Sequence, residues 1–333
     1  MTYKKNFFSY NTRLSEVIKK INKLNHKLIF VLKNKKLVGT LSDGDIRRFF
    51  VKNTSHDICI SSLMNKKPIF FYENQNYKLD KINNNIYLIP ILNKKKEIIK
   101  ILNLKNSNRK YDNSVIIIAG GKGKRLRPIT SKIPKPMIKI NNEPHLYTLT
   151  KKIYKNGFSD IILSLNYKKN YIKNYFDKKK LPIKYCEEKK SLGTAGPIKL
   201  AFKKFNLKFP IIVINADLIT DLEISNLLDF HSKHKSDLIV CIKEKKLNLP
   251  FAVINQKKNK IIAIEEKPTH KYFFNTGIYL LEKKIINLIN EKMDMPNLIK
   301  KAIIKRKNVE SFYLFENWID FGSRSELKKI LSK

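Results

Sequence analysis

The amino-acid sequence predicts an α/β protein: a mostly parallel sheet covered on both faces, preceded by a smaller α/β unit. Three observations carry that expectation. From Asn113 onward, short β-branched runs alternate with helical stretches, the pattern of strands joined by crossover helices. Before that point an apolar hairpin pattern occurs twice, at an offset of about sixty residues. Between the two lies Leu104 to Ser114, polar and without periodicity, which reads as a linker. A chain of 333 residues can hold two domains, and the expected boundaries are 1–106, a linker at 107–113, and 114–333.

In the first half, Leu28-Ile29-x-Val31-Leu32 is followed by Lys33-Asn34-Lys35-Lys36 and by a second apolar run, Leu37 to Leu41. Leu88-Ile89-x-Ile91-Leu92, Asn93-Lys94-Lys95-Lys96 and Ile98 to Leu102 repeat that order. Each copy reads as a β-hairpin with an aromatic segment upstream, Phe7-Phe8 in one and Phe70-Phe71 in the other. The first hairpin runs into Ser42-Asp43-Gly44-Asp45-Ile46-Arg47-Arg48. The second lacks this phrase, and Asn83-Asn84-Asn85 stands where its first helix is expected.

In the second half, Val115-Ile116-Ile117-Ile118 reads as a buried parallel strand. It feeds Ala119-Gly120-Gly121-Lys122-Gly123-Lys124-Arg125-Leu126-Arg127-Pro128, and Ile133-Pro134-Lys135-Pro136-Met137 follows. A glycine turn after a strand offers bare backbone N–H groups to a phosphate, and Lys124, Arg125 and Lys135 add positive charge. The spacing is not that of a Walker A loop. It is not the dinucleotide fingerprint either, since no helix can open across Arg127-Pro128. Ile161 to Leu163, Ile183 to Tyr185, Ile211 to Ile214, Leu238 to Val240 and Gly277 to Leu280 read as strands, with helices at Tyr147 to Asn156 and Asp221 to His231. The arrangement is Rossmann-like, so ligands are expected at the strand C-termini, where the strand Ile211 to Ile214 delivers Asp217. Trp318-Ile319-Asp320-Phe321 offers a second acid among apolar neighbours.

The formal charge of +41 raises the question of a polyanion partner. Most of the cations are scattered lysines beside abundant Asn and Ile, as an A/T-rich coding sequence produces, and no nucleic-acid-binding motif accompanies them. Base readout favours Arg, and no specific nucleic-acid partner is expected. No apolar run reaches the length of a membrane span. Cys59, Cys186 and Cys241 are isolated, the usage of reduced thiols, which points to the cytoplasm. His231 and His234 lie one helical turn apart without a third ligand, and read as a solvated helix face.

The glycine phrase with Pro134-Lys135-Pro136-Met137 resembles the signature of the sugar-1-phosphate nucleotidyltransferases, and nearly all of 113–333 follows that family's order. The resemblance implies a nucleotidyltransferase fold in which Ala119, Gly120, Gly121, Gly123 and Lys124 cradle a nucleoside triphosphate, with Arg125 and Lys135 on its phosphates. Lys124 departs from the Ser, Thr or Met of many members. Asp217 and Asp320 would hold Mg²⁺ on the α-phosphate. Glu188 and the loop Ser191 to Gly196, with Gly193 and Thr194, would approach the base and sugar. Glu266 would bond sugar hydroxyls and Lys267 the sugar phosphate, and the strand carrying Asn275 and Gly277 would line the sugar pocket.

The N-terminal repeat resembles tandem CBS modules. There the Ser/Thr-x-x-Asp pair, Ser42 and Asp45, would hold the ribose of an adenine nucleotide, with Ser42 or Arg47 on phosphate. Ser42 or Asp43 equally suits capping of a helix starting near Asp45. The layout is closest to the glucosamine-1-phosphate guanylyltransferases of legionaminic acid synthesis. The expected reaction is attack of a sugar-1-phosphate oxygen on the α-phosphorus of GTP, expelling pyrophosphate. Catalysis would rest on positioning and charge neutralisation rather than a strong base. Thymidylyl transfer to glucose-1-phosphate and guanylyl transfer to mannose-1-phosphate are the alternatives within the class, and an inactive nucleotide-sensing regulator is the alternative outside it. A homo-oligomer is expected. Every candidate catalytic residue lies beyond Asp112, so a fragment starting there is expected to be active.

Overall fold

The computed structural model describes residues 3–21, 24, 27–52, 58–73, 75, 88–104, 110–179 and 181–331, the side chains of 51 and 52 excepted. Two small sheets form the first half. One contains β1 (Phe7–Ser9), β2 (Leu28–Lys33) and β3 (Lys36–Ser42), with helices α1 (Leu14–Ile21) and α2 (Asp43–Lys52). The other contains β4 (Phe71–Tyr72), β5 (Leu88–Leu92) and β6 (Ile98–Asn103). In each, the aromatic strand pairs parallel with the next strand, which pairs antiparallel with the third. Even the ladder irregularity recurs in place, between Val31 and Leu32 and between Ile91 and Leu92. Asn34 and Lys35, at φ 50° and 64°, form the two-residue turn whose twist suits a hairpin. Phe30 and Leu37 of one sheet share a core with Leu88, Leu92 and Ile98 of the other. Asn83 to Asn85 lie outside the described residues.

The second half starts with β7 (Val115–Ile118), α3 (Ile129–Lys132), β8 (Lys139–Ile140), β9 (Glu143–Pro144), α4 (His145–Lys155), β10 (Ile161–Leu165), α5 (Lys169–Asp177), β11 (Ile183–Glu187) and α6 (Gly196–Lys204). It continues through β12 (Ile211–Asn215), β13 (Leu218–Thr220), α7 (Ser225–His234), β14 (Leu238–Asn248), β15 (Val253–Lys257), β16 (Lys260–Glu265) and β17 (Thr269–Leu281). It closes with α8 (Lys283–Ile286), α9 (Met295–Ile304), β18 (Val309–Tyr313), β19 (Trp318–Asp320) and α10 (Arg324–Leu331). The main sheet has the order β11-β10-β7-β12-β17-β14-β18. Within it β17 alone runs antiparallel to its neighbours.

Alternation along the strands divides the core. Val115, Ile117, Ile212 and Ile214 pack on one face, and Ile116, Ile211 and Val213 on the other. Both faces are apolar because helices cover both, which is why these strands read as unbroken β-branched runs. From β7 the chain builds outward to β10 and β11, then returns to place β12 on the other side of β7. The strand order therefore reverses between β7 and β12, the topological switch point at whose C-terminal ends α/β sheets place their ligands. The glycine loop leaves β7 there, and Asp217 follows β12.

The halves are not merely tethered. Arg47 on α2 is buried against β18 and the segment after it, 1% exposed, with its guanidinium 4.0 Å from the centre of the Phe312 ring. Phe50 stacks on Tyr313 with centroids 5.2 Å apart. The linker reading alone did not anticipate this junction. Asp221 does not cap the helix after it: α7 starts at Ser225, and the Asp221 carboxylate accepts from Asn317 Nδ2 at 2.7 Å.

Candidate active site

The glycine loop is shaped by two close approaches. Gly123 has φ +60°, and a Cβ there would stand 2.9 Å from Thr130 and 3.0 Å from the Cβ of Lys135. Thr130 Oγ1 donates to the Gly123 carbonyl at 2.9 Å, which folds the loop back over the Lys135 segment. At Gly120 a Cβ would meet Glu188 Oε1 at 2.7 Å. Ala119 is buried and its N–H donates to the Ser164 carbonyl, while Gly121 has open space on its Cβ side. Lys124 and Arg125 stand exposed on the turn that follows. Lys124–Leu126 form one 3₁₀ turn, and an α-helix begins only after Pro128, at Ile129.

Asp217, Asp320 and Lys135 meet. β13 and β19 pair antiparallel with Leu218 opposite Asp320, which brings the acid before Leu218 beside Asp320. Lys135 Nζ bonds Asp217 Oδ2 and lies 3.5 Å from Asp320 Oδ1. The ammonium also sits 5.3 Å from the centre of the Phe321 ring. Phe321, Leu126, Ile138 and Leu327 form one small core, so the glycine turn, the Lys135 segment, β19 and α10 share a support. Burial, then the like charge of Asp217, hold the Asp320 carboxyl above its ordinary range despite Lys135. Behind the acids, His145 Nε2 lies 2.9 Å from the Leu218 carbonyl, and its ring packs edge-on against Phe321. Burial lowers its pKa to about 4, so it is neutral near pH 7 and acts as a prop.

Asp320 Oδ1 is buried and makes no hydrogen bond among the described residues. Two converging carboxylates that share one lysine ammonium, with a buried Asp320 oxygen approached only by that ammonium at 3.5 Å, fit a hard dication with few protein ligands. No group of three or more His, Cys, Asp or Glu side chains that could hold a metal occurs among the described residues. His231 pairs with Glu282 and His234 with Glu310, so that pair is part of the helix surface.

The other expected residues lie around this centre at differing remove. Glu188 is buried, accepting from Ser164 Oγ at 2.9 Å and from the Leu192 N–H at 3.0 Å, and so anchors the loop carrying Gly193 and Thr194. Burial raises its pKa above the ordinary carboxylate value. The Thr194 hydroxyl accepts from the Met295 N–H at 2.8 Å and steadies the start of α9. Gly277 packs on Asn215, two residues before Asp217, and Asn275 Nδ2 donates to the Tyr279 hydroxyl at 2.7 Å. Glu266 and Lys267 are 73% and 69% exposed and face each other at 4.0 Å, so the Lys135 cluster does not include them. Ser42 and Asp45 form a reciprocal cap at the start of α2. The Ser42 N–H and hydroxyl donate to Asp45 Oδ2 at 2.8 and 2.6 Å, and the Asp45 N–H returns to Ser42 Oγ at 3.2 Å. Arg48 pairs with the other Asp45 oxygen. The expectation that Arg47 could meet a phosphate is corrected: its guanidinium is sealed in the junction with the second half.

Asn215, His145, Phe321 and the Arg47–Glu316 contact were not singled out from the sequence as parts of the site or its support. Each matters through partners far away in the chain, and no local pattern marks them.

A model of the nucleotidyl transferase family matches residues 114–333. The chain belongs to the nucleotidyl transferase family. A CBS domain model matches residues 1–52. This nucleotidyltransferase is 31% identical over 223 residues to the D-glycero-alpha-D-manno-heptose 1-phosphate guanylyltransferase of Aneurinibacillus thermoaerophilus, covering 64% of this chain and 95% of the relative. It is 31% identical to the mannose-1-phosphate guanyltransferase of Aspergillus oryzae, over 62% of this chain and 60% of that one. Among solved structures, HddC from Yersinia pseudotuberculosis complexed with GMP-PN aligns with TM-score 0.50 and 28% identity over 66% of this chain and 98% of its own. UDP-glucose pyrophosphorylase complexed with UDP-glucose aligns with TM-score 0.53 over 67% of this chain and 98% of its own; at 20% identity it shows the fold alone. No helix among the described residues is long and apolar enough to cross a membrane.

Proposed function

We propose that this nucleotidyltransferase makes a GDP-sugar and pyrophosphate from GTP and a hexose- or hexosamine-1-phosphate. The observation that carries the chemistry is the convergence of Asp217 and Asp320 on Lys135 at the mouth of the glycine loop. The choice of guanine rests on the two relatives named as guanylyltransferases.

Asp217 and Asp320 would hold Mg²⁺, which when bound supplies charge neutralisation at the α-phosphate. The backbone of Ala119 to Gly123 receives the triphosphate, while Lys124 and Arg125 offer charge from the exposed turn. Lys135 delivers a fixed positive charge beside the acids. Glu188 shapes the loop of Gly193 and Thr194 against the base. Glu266, Lys267, Asn275 and Gly277 receive the sugar phosphate. A sugar-phosphate oxygen forms the new bond to the α-phosphorus, and the bond to the β-phosphate oxygen breaks, leaving its electron pair on pyrophosphate. No proton has to be removed from an already ionised phosphate, so the protein's task is alignment and charge placement.

Within this reading residues 1–106 form a CBS pair, 107–113 a linker and 114–333 the catalytic domain. Ser42 and Asp45 would hold an adenine nucleotide, which would have to open the cap they make with each other; the alternative role of the pair is dimerisation. The enzyme would work in the cytoplasm as a homo-oligomer. Pyrophosphate release from a panel of five triphosphates against mannose-, heptose-, glucose- and glucosamine-1-phosphates tests the reading. GTP with mannose-, glucose- or glucosamine-1-phosphate is expected to stand well above the rest; preference for dTTP or UTP would overturn the guanylyl assignment, and preference for heptose-1-phosphate the sugar assignment.

A further inference from the structure

We infer that Arg47, on the N-terminal half, is a positioning residue for the catalytic acid Asp320, acting through Glu316. This deepens the reading above, since it rests on Asp320 as a metal ligand. The Arg47 side chain is 1% exposed and that of Glu316 fully buried. Arg47 Nη2 donates to Glu316 Oε1 at 2.8 Å, Nε to Asp43 Oδ2 at 2.7 Å, and Nη1 to the Tyr313 carbonyl. Lys27 adds a second cation to Glu316. Burial works against the Glu316 carboxylate, but Arg47 and Lys27 outweigh it and hold its pKa below the ordinary carboxylate range.

The segment so gripped leads straight to the acid. Tyr313 ends the edge strand β18, and Lys243 Nζ donates to the Glu316 carbonyl at 2.7 Å. Asn317 then bonds Asp221, and Trp318 Nε1 donates to the Thr276 carbonyl at 3.0 Å. Asp320, four positions after Glu316, ends this run opposite Leu218. A planar fork is suited to hold a carboxylate, a second acid and a carbonyl at once, and a lysine is not. Helix α2 thereby sets where β19 begins, and so where the Asp320 carboxylate stands relative to Asp217. Its own N-terminus carries Ser42 and Asp45, which places the CBS phrase one helical turn from the clamp.

The test measures metal binding directly. Mn²⁺ binding to the full chain is followed by electron paramagnetic resonance with α,β-methylene GTP present, and Trp318, the lone tryptophan, reports on β19 by its emission. Arg47→Ala would leave Asp43 buried without its partner while Glu316 keeps Lys27, so the working variant is Arg47→Met with Asp43→Asn, which removes that buried pair together and leaves Glu316 to Lys27. Its Mn²⁺ affinity is expected to fall by about 10-fold at most, the low end of what loss of a group bonded directly to a metal ligand costs, because Arg47 acts on Asp320 only through the backbone after Glu316. Arg47→Lys, which keeps the charge but not the fork, is expected to shift affinity in the same direction and by less. Wild-type affinity in either folded variant, while Asp320→Asn loses binding, would overturn the positioning role alone. Wild-type affinity in Asp320→Asn would instead overturn the metal assignment beneath it.

Discussion

The carboxylates of Asp217 and Asp320 converge on a single ammonium, that of Lys135, although the two acids lie far apart in the chain. Pairing of β13 with β19 makes this possible, because it sets Leu218 opposite Asp320 at the end of the ladder. Two like charges side by side need a cation, and the ammonium supplies one. Asp217→Asn is therefore expected to leave the fold intact and lower kcat by about 10²–10³-fold, as loss of a preorganised charge contact does. Circular dichroism and steady-state pyrophosphate release check both halves of that statement.

Lys135 and Lys267 are expected to fail differently. Lys135 is held among the acids, whereas Lys267 is exposed in the bend two residues after β16. Lys135→Ala should mainly depress kcat, and Lys267→Ala should mainly raise KM for the sugar phosphate, each by about 2.7–4 kcal/mol at the transition state. An unchanged sugar-phosphate KM in Lys267→Ala would remove that residue from the pocket.

Gly123→Ala should damage the loop and not just the local backbone. Its φ of +60° is unfavourable for alanine, and the new Cβ would press on Thr130 and on Lys135. The expected cost is about 1–2 kcal/mol of stability, together with a lower kcat because Lys135 is displaced. A melting curve and a kcat measurement on the same preparation test the coupling.

His145 makes stability depend on pH. Burial holds its folded pKa at about 4, below the ordinary 6.5, so the unfolded chain binds the extra proton first. Its contribution is full above pH 6.5 and is lost as pH falls towards 4, by at most about 3 kcal/mol. In His145→Gln this component should vanish. Chemical denaturation at pH 7 and pH 4.5 measures the difference between the two proteins.

Much of this was legible in the sequence because the signals are local. Unbroken β-branched runs marked strands buried on both faces, and the glycine turn and Lys135 lie within one short stretch. Asp217 and Asp320 were found through phrases with apolar surroundings, though only the fold shows that they touch. The antiparallel course of β17 had no local sign, since its buried part reads like its parallel neighbours. Ser42 and Asp45 suited a ribose and a helix cap equally, and their bonds to each other form a cap. Arg47 and Glu316 lie 269 positions apart, and a buried ion pair at that separation leaves no periodicity to read. This junction also alters the expectation for a fragment starting near Asp112. Such a fragment keeps the acids but loses the clamp, so it should bind metal more weakly than the full chain.

The central claim is guanylyl transfer to a sugar phosphate by the Asp217–Asp320 centre. Its most direct measurement is mass spectrometry of the product made from GTP, Mg²⁺ and each sugar-1-phosphate by the full chain and by Asp320→Asn. The account predicts a GDP-sugar with stoichiometric pyrophosphate from the full chain and at least a ~10²-fold smaller yield from the variant. Equal yields from the two proteins, or no GDP-sugar from any sugar phosphate, would contradict it.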